Sequence, residues 1–194
     1  MEASLPKPCL LLLDANIIIE THVLGCWDKL VAAVAITVPS TVAAEEARTF
    51  VDSRTGVAAV RLRPHIEQGL IREEAATPAE LADLVSQFTA DRWGGLHTGE
   101  LEAIALLAAG RLPEHRFCTG DGAAIEALGI LGLSEQGISL EELLSTHGLG
   151  RRLRRQYSQA FFRDWLRTGQ QNRITGSGLA PASRYRLDKH PRRH

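Results

Sequence analysis

Apolar residues along this chain come in two textures. Short unbroken runs, Leu10–Leu13, Ala35–Val38 and Phe117–Thr119, alternate with longer stretches in which apolar positions recur every three or four residues. A short continuous apolar run bounded by turn residues is the pattern of a strand buried on both faces. The periodic stretches predict helices over Asn16–Leu24, Trp27–Val34, Thr41–Phe50, Pro78–Phe88, Gly99–Ala109, Gly122–Leu131 and Leu140–Ser145. Their starts carry N-cap residue types: Ser40 and Thr41, Thr77 ahead of Pro78, Thr98, Asp121 and Ser139. Gly110 suits the position after a helix end. The stretch Val57–Ala75, interrupted at Gly69, predicts a small hairpin or a helix–loop insert. Strands alternating with helices predict an α/β layered fold with a mostly parallel sheet. In such sheets ligands bind beyond the carboxyl ends of the strands.

Near the C-terminus Leu149, Leu153, Tyr157, Phe161 and Trp165 fall at a spacing of four and, with Ala160 and Leu166, predict an amphipathic helix with one apolar stripe. Arg151, Arg152, Arg154, Arg155, Arg163 and Arg167 lie mostly off that stripe. Beyond Gly169 the chain turns polar and predicts a loose tail. The expected organisation is therefore a domain over residues 1–147, followed by a basic helix and flexible tail over 148–194.

Charge sharpens this division. The net charge of −1 conceals 10 Lys+Arg against 21 Asp+Glu up to His147, and 12 against 2 from Gly148 onward. An acidic body with a basic extension points to a polyanionic partner, or to an extension folded back on its own body. The 194 residues, 44% hydrophobic and 23% charged, exclude a disordered, collagen-like or coiled-coil chain. Three cysteines without CxxC spacing argue against a disulfide framework or a zinc ribbon and fit a reducing cytoplasm. The run Cys9–Leu13 falls far short of the ~20 residues that span a bilayer, so no membrane association is expected.

Four acids occupy equivalent points in this pattern. Asp14 follows the first strand, Glu45 lies early in the helix after the second, Glu100 is in the first turn of a helix, and Asp121 follows the third strand. All four project at the strand-end, helix-start edge, where helix N-termini favour ionised carboxylates. Acids at these points are also ordinary caps. Taken together they repel, and a hard divalent cation with oxygen ligands, Mg²⁺ or Mn²⁺, is the natural counter-charge.

The segments that carry these acids resemble the blocks of PIN-domain nucleases. Leu11-Leu12-Leu13-Asp14-Ala15-Asn16 resembles the opening strand with Asp-x-Asn. Val38-Pro39-Ser40-Thr41-Val42-Ala43-Ala44-Glu45 is similar to the second block, with Glu46 adjacent as the alternative acid. Gly99-Glu100-Leu101-Glu102-Ala103-Ile104-Ala105 resembles the third block, and Thr119-Gly120-Asp121-Gly122 the fourth. The fourth block often has two consecutive acids, whereas here Gly120 and Gly122 flank a lone Asp121.

The resemblance, spanning about Leu10 to Leu133, implies a three-layer α/β/α sandwich and cleavage of RNA dependent on Mg²⁺ or Mn²⁺. It implies Asp14, Glu100 and Asp121 as metal ligands, Glu45 as a further catalytic acid, and Asn16 and Thr119 as hydrogen-bonding supports. It leaves open a toxin restrained by an antitoxin, an RNA-processing enzyme, and a homo-oligomer. The basic extension lies outside the toxin-sized core, and Arg151, Arg152, Arg154 and Arg155 are the expected RNA contacts. A non-catalytic RNA- or protein-binding module is the alternative. No Gly-x-Ser-x-Gly and no phosphate-cradling Gly-Lys-Ser/Thr loop occurs. His97 is near enough in sequence to Glu100 to be weighed and is assigned no role. Trp93 is as readily a packed residue as a base-stacking one.

Overall fold

A computed structural model describes residues 9–46, 49–52, 56–60 and 62–181. The chain runs β1 (Leu10–Leu13), α1 (Ala15–Val23), α2 (Trp27–Ala33), β2 (Ala35–Pro39), β3 (Thr49–Asp52), β4 (Gly56–Ala59), α3 (Leu62–Glu67), β5 (Ile71–Glu74), α4 (Pro78–Gln87), α5 (Ala90–Trp93), α6 (Thr98–Ala108), β6 (Arg116–Cys118), α7 (Gly122–Leu131), β7 (Gly137–Ile138), α8 (Leu140–Thr146) and α9 (Gln159–Thr175). The main sheet has the order β5-β2-β1-β6-β7, and all of its pairings are parallel.

The central strand explains the layering. Leu11, Leu12 and Leu13 are all fully buried, as a parallel strand covered on both faces requires. Side chains alternate across a strand, so Leu11 and Leu13 join one core with Ile17, Ile18, Leu30, Ile36, Val38, Leu140 and Leu144. Leu12 faces the other way and joins Phe117, Leu84, Ile104, Leu106, Ala124 and Leu128. The result is a three-layer α/β/α sandwich, with α1, α2 and α8 contributing to one outer layer and α4, α6 and α7 to the other. Each fully buried Leu, Ile or Phe contributes about 1.5–3 kcal/mol, and these two cores supply most of the driving force for folding.

Several local expectations hold for stated reasons. Thr77 caps α4 through the Glu80 amide, while Glu80 reaches back to the Thr77 amide at 2.6 Å with Pro78 in the first turn. Ser139 caps α8 through the Glu142 amide.

Others are corrected. The helix expected over Thr41–Phe50 is a short turn wound as a π-helix over Val42–Glu46, after which the β-prone Thr49–Asp52 pairs antiparallel with Gly56–Ala59. The insert expected over Val57–Ala75 holds most of the second strand of that hairpin and the helix α3. It also holds β5, an edge strand of the main sheet whose Ile-Arg-Glu-Glu sequence carries too little apolar pattern to announce itself. The two-residue β7 is likewise missing from the sequence pattern.

The largest correction concerns the C-terminal segment. Its helix starts at Gln159, not at Leu149, and runs past Gly169 to Thr175. Ser158 caps it by accepting from the Phe161 amide at 3.2 Å. Gly148 adopts φ +68°, and residues 150–154 form no helix, so the spacing of four from Leu149 to Tyr157 is not helical periodicity. Nor is the segment loose beyond Gly169. Helix α9 crosses α7 where Gly129 meets Gly169. A Cβ on Gly129 would lie 2.6 Å from the Leu166 carbonyl oxygen and 2.8 Å from Gly169 Cα. A Cβ on Gly169 would strike the Glu126 carbonyl oxygen. Arg173 then donates to the Ile130 carbonyl at 2.9 Å near the end of α7, and Leu179 is buried in the core around Leu12. Residues 182–194 lie outside the described part of the chain.

Candidate active site

Strands β1 and β6 are parallel neighbours, so both deliver their following residues to the same sheet edge. Asp14 caps α1 there, and Asp121 caps α7. Thr119 links them. Its hydroxyl donates to Asp14 Oδ2 at 2.8 Å and accepts from the Asp121 amide at 3.1 Å. Asn16 closes the network, donating to Asp14 Oδ2 at 2.5 Å and accepting from the Gly120 amide at 3.2 Å. The sequence-predicted group Asp14, Asn16, Thr119 and Asp121 is therefore one connected unit.

The two carboxylates differ in kind. Asp14 is 3% exposed, and both of its oxygens receive hydrogen bonds, Oδ1 from the Ala15 amide at 2.6 Å and Oδ2 from Thr119 and Asn16. Asp121 is partly exposed. Its Oδ1 accepts from the Ala123 and Ala124 amides at 2.7 and 3.1 Å, and no described residue donates to its Oδ2. A carboxylate oriented through one oxygen with the other open is suited to an incoming cation or water.

Glu100 sits at the third position of α6, 2% exposed, with Oε2 accepting from the His97 amide at 3.0 Å. Thr98, expected as the cap, is instead the first helical residue. Glu102, two residues on, accepts from Ser40 and Thr41, so the start of α6 lies near the turn that follows β2. The backbone of Glu45 and Glu46 lies in the helical turn after β2; their side chains lie outside the described residues. Among the described residues no group of three or more His, Cys, Asp or Glu side chains is arranged to hold a metal ion. The donor set nonetheless matches a hard cation in kind: its carboxylates offer oxygen only. Burial pushes the Cys118 thiol far above its ordinary pKa and raises Cys9 and Cys26 as well.

Three further acids are buried, Glu102, Glu20 and Glu126, and the sequence pattern gave them no role; Glu126 on α7 pairs with Arg92 at 2.7 Å. Glu102, 5% exposed, accepts from Ser40 Oγ at 2.7 Å, the Thr41 amide at 2.8 Å and the Ala76 amide at 3.1 Å. It ties the turns after β2 and β5 to α6, and with three donors it is a structural clamp. Glu20 on α1, whose side chain is 4% exposed, pairs with Arg154. Of the four arginines expected to meet RNA, Arg154 is thus engaged by an acid of the body, lying over the Tyr157 ring at 5.2 Å. Arg151, Arg152 and Arg155 are exposed and pair with no acid among the described residues.

The glycines flanking Asp121 acquire a reason. A Cβ on Gly120 would lie 2.7 Å from Tyr157 Cδ1, and one on Gly122 would lie 2.8 Å from Trp165 Cδ2, closer than side chains tolerate. The C-terminal segment lays an aromatic ring on each side of Asp121, and only glycine leaves room. Burial raises the pKa of the Tyr157 hydroxyl, with Arg154 opposing, so the ring stays neutral and caps the network from above Asn16. The two signals legible in the sequence, the Gly-Asp-Gly run and the aromatic stripe, are halves of one packing arrangement.

No family model, curated protein or solved structure matches this chain. Among the described residues no helix is long and apolar enough to cross a membrane.

Proposed function

We propose that this chain is a metal-dependent ribonuclease, with Asp14, Glu100 and Asp121 holding Mg²⁺ or Mn²⁺ at the C-terminal edge of the sheet. The observation that carries the reading is the Asp14–Thr119–Asp121 linkage, with Asp121 Oδ2 open at the ligand-binding edge of a parallel sheet. The resemblance of four sequence blocks to PIN-domain nucleases supports it independently. A cation held by these residues would supply Lewis-acid chemistry, lowering the pKa of water and making a hydroxide nucleophile accessible at neutral pH.

The residues supply the rest. Thr119 and Asn16 fix the Asp14 carboxyl by donating to it. The first amides of α7 fix the Asp121 carboxylate and add the partial positive charge of the helix terminus. Tyr157 and Trp165 restrict water around Asp121. The exposed arginines draw a phosphate chain toward an edge that is otherwise acidic.

The absence of a grouped triad of ligands among the described residues favours a second reading, a PIN-like module that binds RNA or protein without cutting it. Incubation of a mixed RNA pool with Mn²⁺ separates the two. Cleavage by the native chain, lost in Asp121→Asn, supports the nuclease; native chain inert across Mg²⁺ and Mn²⁺ supports the binding module.

A further inference from the structure

We infer that Lys29, Arg151 and Arg152 form a second phosphate-binding surface at the far end of α1, gripping a stretch of the RNA chain away from the bond held at Asp121. The inference rests on the nuclease reading for the choice of RNA. The residues between α8 and α9 lie along α1 as a strap that runs in the opposite direction. The Tyr157 hydroxyl donates to the Asn16 carbonyl at 3.4 Å in the first turn of α1, and Arg154 pairs with Glu20 further along it. Arg151, three residues before Arg154, reaches the turn between α1 and α2, where Cys26 lies. Burial raises the Cys26 thiol, and the charges of Arg151 and Lys29 both pull it back, so the two cations share this end of the helix. Asp14 caps the opposite end. Nine helical residues at a rise of about 1.5 Å each set the two ends about 13 Å apart. At about 3.4 Å per nucleotide of a helical strand, that is about four nucleotides. Lys29, Arg151 and Arg152 are exposed, and none pairs with an acid among the described residues. Arg151 donates to the Gly150 carbonyl at 3.0 Å, a contact that leaves its charge in place. Of the acids close by, Glu20 is engaged by Arg154, and Asp28 acts on the His22 ring. Uncompensated cations gathered on a body that is otherwise acidic are what a phosphate chain recognises, releasing its counterions as it binds.

Binding of end-labelled RNA of about twelve nucleotides is to be followed by fluorescence anisotropy in EDTA over a range of salt concentrations. Each lost phosphate contact should flatten the logarithmic salt slope by about 0.7 and, at about 0.1 M salt, weaken binding about fivefold. Lys29→Gln alone should show that loss, although Lys29 lies outside the C-terminal segment altogether. Lys29→Gln, Arg151→Gln and Arg152→Gln together should flatten the slope by about two and weaken binding about 100-fold. Arg167→Gln removes the same charge from α9 and should change neither. Native slope and affinity in Lys29→Gln, or an equal loss in Arg167→Gln, overturns the inference. So does a native chain that binds no RNA, which would leave these cations to an acidic protein. Because binding is read without metal, Lys29-dependent binding in a protein that cleaves no RNA in Mn²⁺ removes only the nuclease reading. RNA cleavage by a chain whose binding is indifferent to Lys29 removes only this inference.

Discussion

The Thr119 hydroxyl reaches across 105 positions of sequence to donate to Asp14 Oδ2 at 2.8 Å. Asp14 is almost wholly buried, so its carboxyl oxygens depend on such donors for partners. Thr119→Val keeps the shape and removes the donor, and it also strands the Asp121 amide. The expected cost is about 1–3 kcal/mol, the penalty for an under-satisfied buried polar group. Urea unfolding of the variant measures it, and a loss below a few tenths would mean that the network does not hold the site.

The same geometry separates the two aspartate variants. Asp121→Asn can keep its oxygen toward the Ala123 and Ala124 amides and turn its amino group to the open side. Asp14→Asn must place an amino group among donors on both oxygens. Asp121→Asn should melt within about 0.5 kcal/mol of native, while Asp14→Asn falls by about 1–3 kcal/mol. Asp121→Asn is therefore the cleaner test of activity.

Gly169→Ala tests whether α9 is docked. In an exposed helix this change gains up to about 1 kcal/mol. Here the new Cβ would strike the Glu126 carbonyl oxygen, part of a helix that cannot easily retreat. Overpacking costs of about 1–3 kcal/mol should win. The sign is the measurement: destabilisation in urea marks the helix crossing, and stabilisation marks a free tail.

Arg154 and its neighbours should behave differently. Arg154→Ala leaves Glu20 buried without its cation. Because the Arg154 side chain is 61% exposed, the cost should be about 1–2 kcal/mol rather than that of a fully buried pair. Glu20→Gln in the same protein should recover part of it. Neutralising Arg151, Arg152 and Arg155 together should leave the melting temperature unchanged and flatten the logarithmic salt slope of RNA binding by about two. A fall in stability with an unchanged slope would show that these arginines hold the segment down instead.

A pH dependence follows from two histidines. Burial, reinforced by the charge of Arg72, holds His115 below its ordinary pKa of 6.5, and burial likewise lowers His22. His115 Nε2 meets Thr37 Oγ1 at 3.0 Å, and its buried Nδ1 has no partner among the described residues. A histidine with a lowered folded pKa takes up its proton more readily when unfolded. Its contribution is therefore complete above 6.5 and is lost as pH falls through 6.5 toward the folded value. Stability should decline between about pH 7.5 and about pH 5.5, and less steeply in His115→Gln. Glu80, the acid held below its ordinary 4.5, acts only at lower pH.

The layered fold was legible because its central strands are buried on both faces and its helices carry explicit caps. The Asp14, Asn16, Thr119 and Asp121 unit was legible because parallel strands deliver their next residues to one edge. Edge strand β5 was not, since a strand covered on one side only needs few apolar residues. Glu102 was hidden because its three donors come from turns far away in sequence. The start of α9 was misplaced because Leu149 and Tyr157 are buried, and Leu153 partly so, by a segment whose spacing of four imitates a longer helix. Gly148 and the Ser158 cap were the signals that mark the true boundary.

The close crossing of α7 and α9 has a bearing on how the protein is made. Helix α7 is buried at every position from Ala124 to Ile130, partly by a helix that the ribosome delivers later. At ordinary elongation rates its outer face waits about two to nine seconds for residue 175 to be synthesised. During that interval the nascent chain presents an apolar helix with no cover. A chain stopped at His147 should be captured by chaperones or aggregate, even though both strands that position Asp14 and Asp121 are already present.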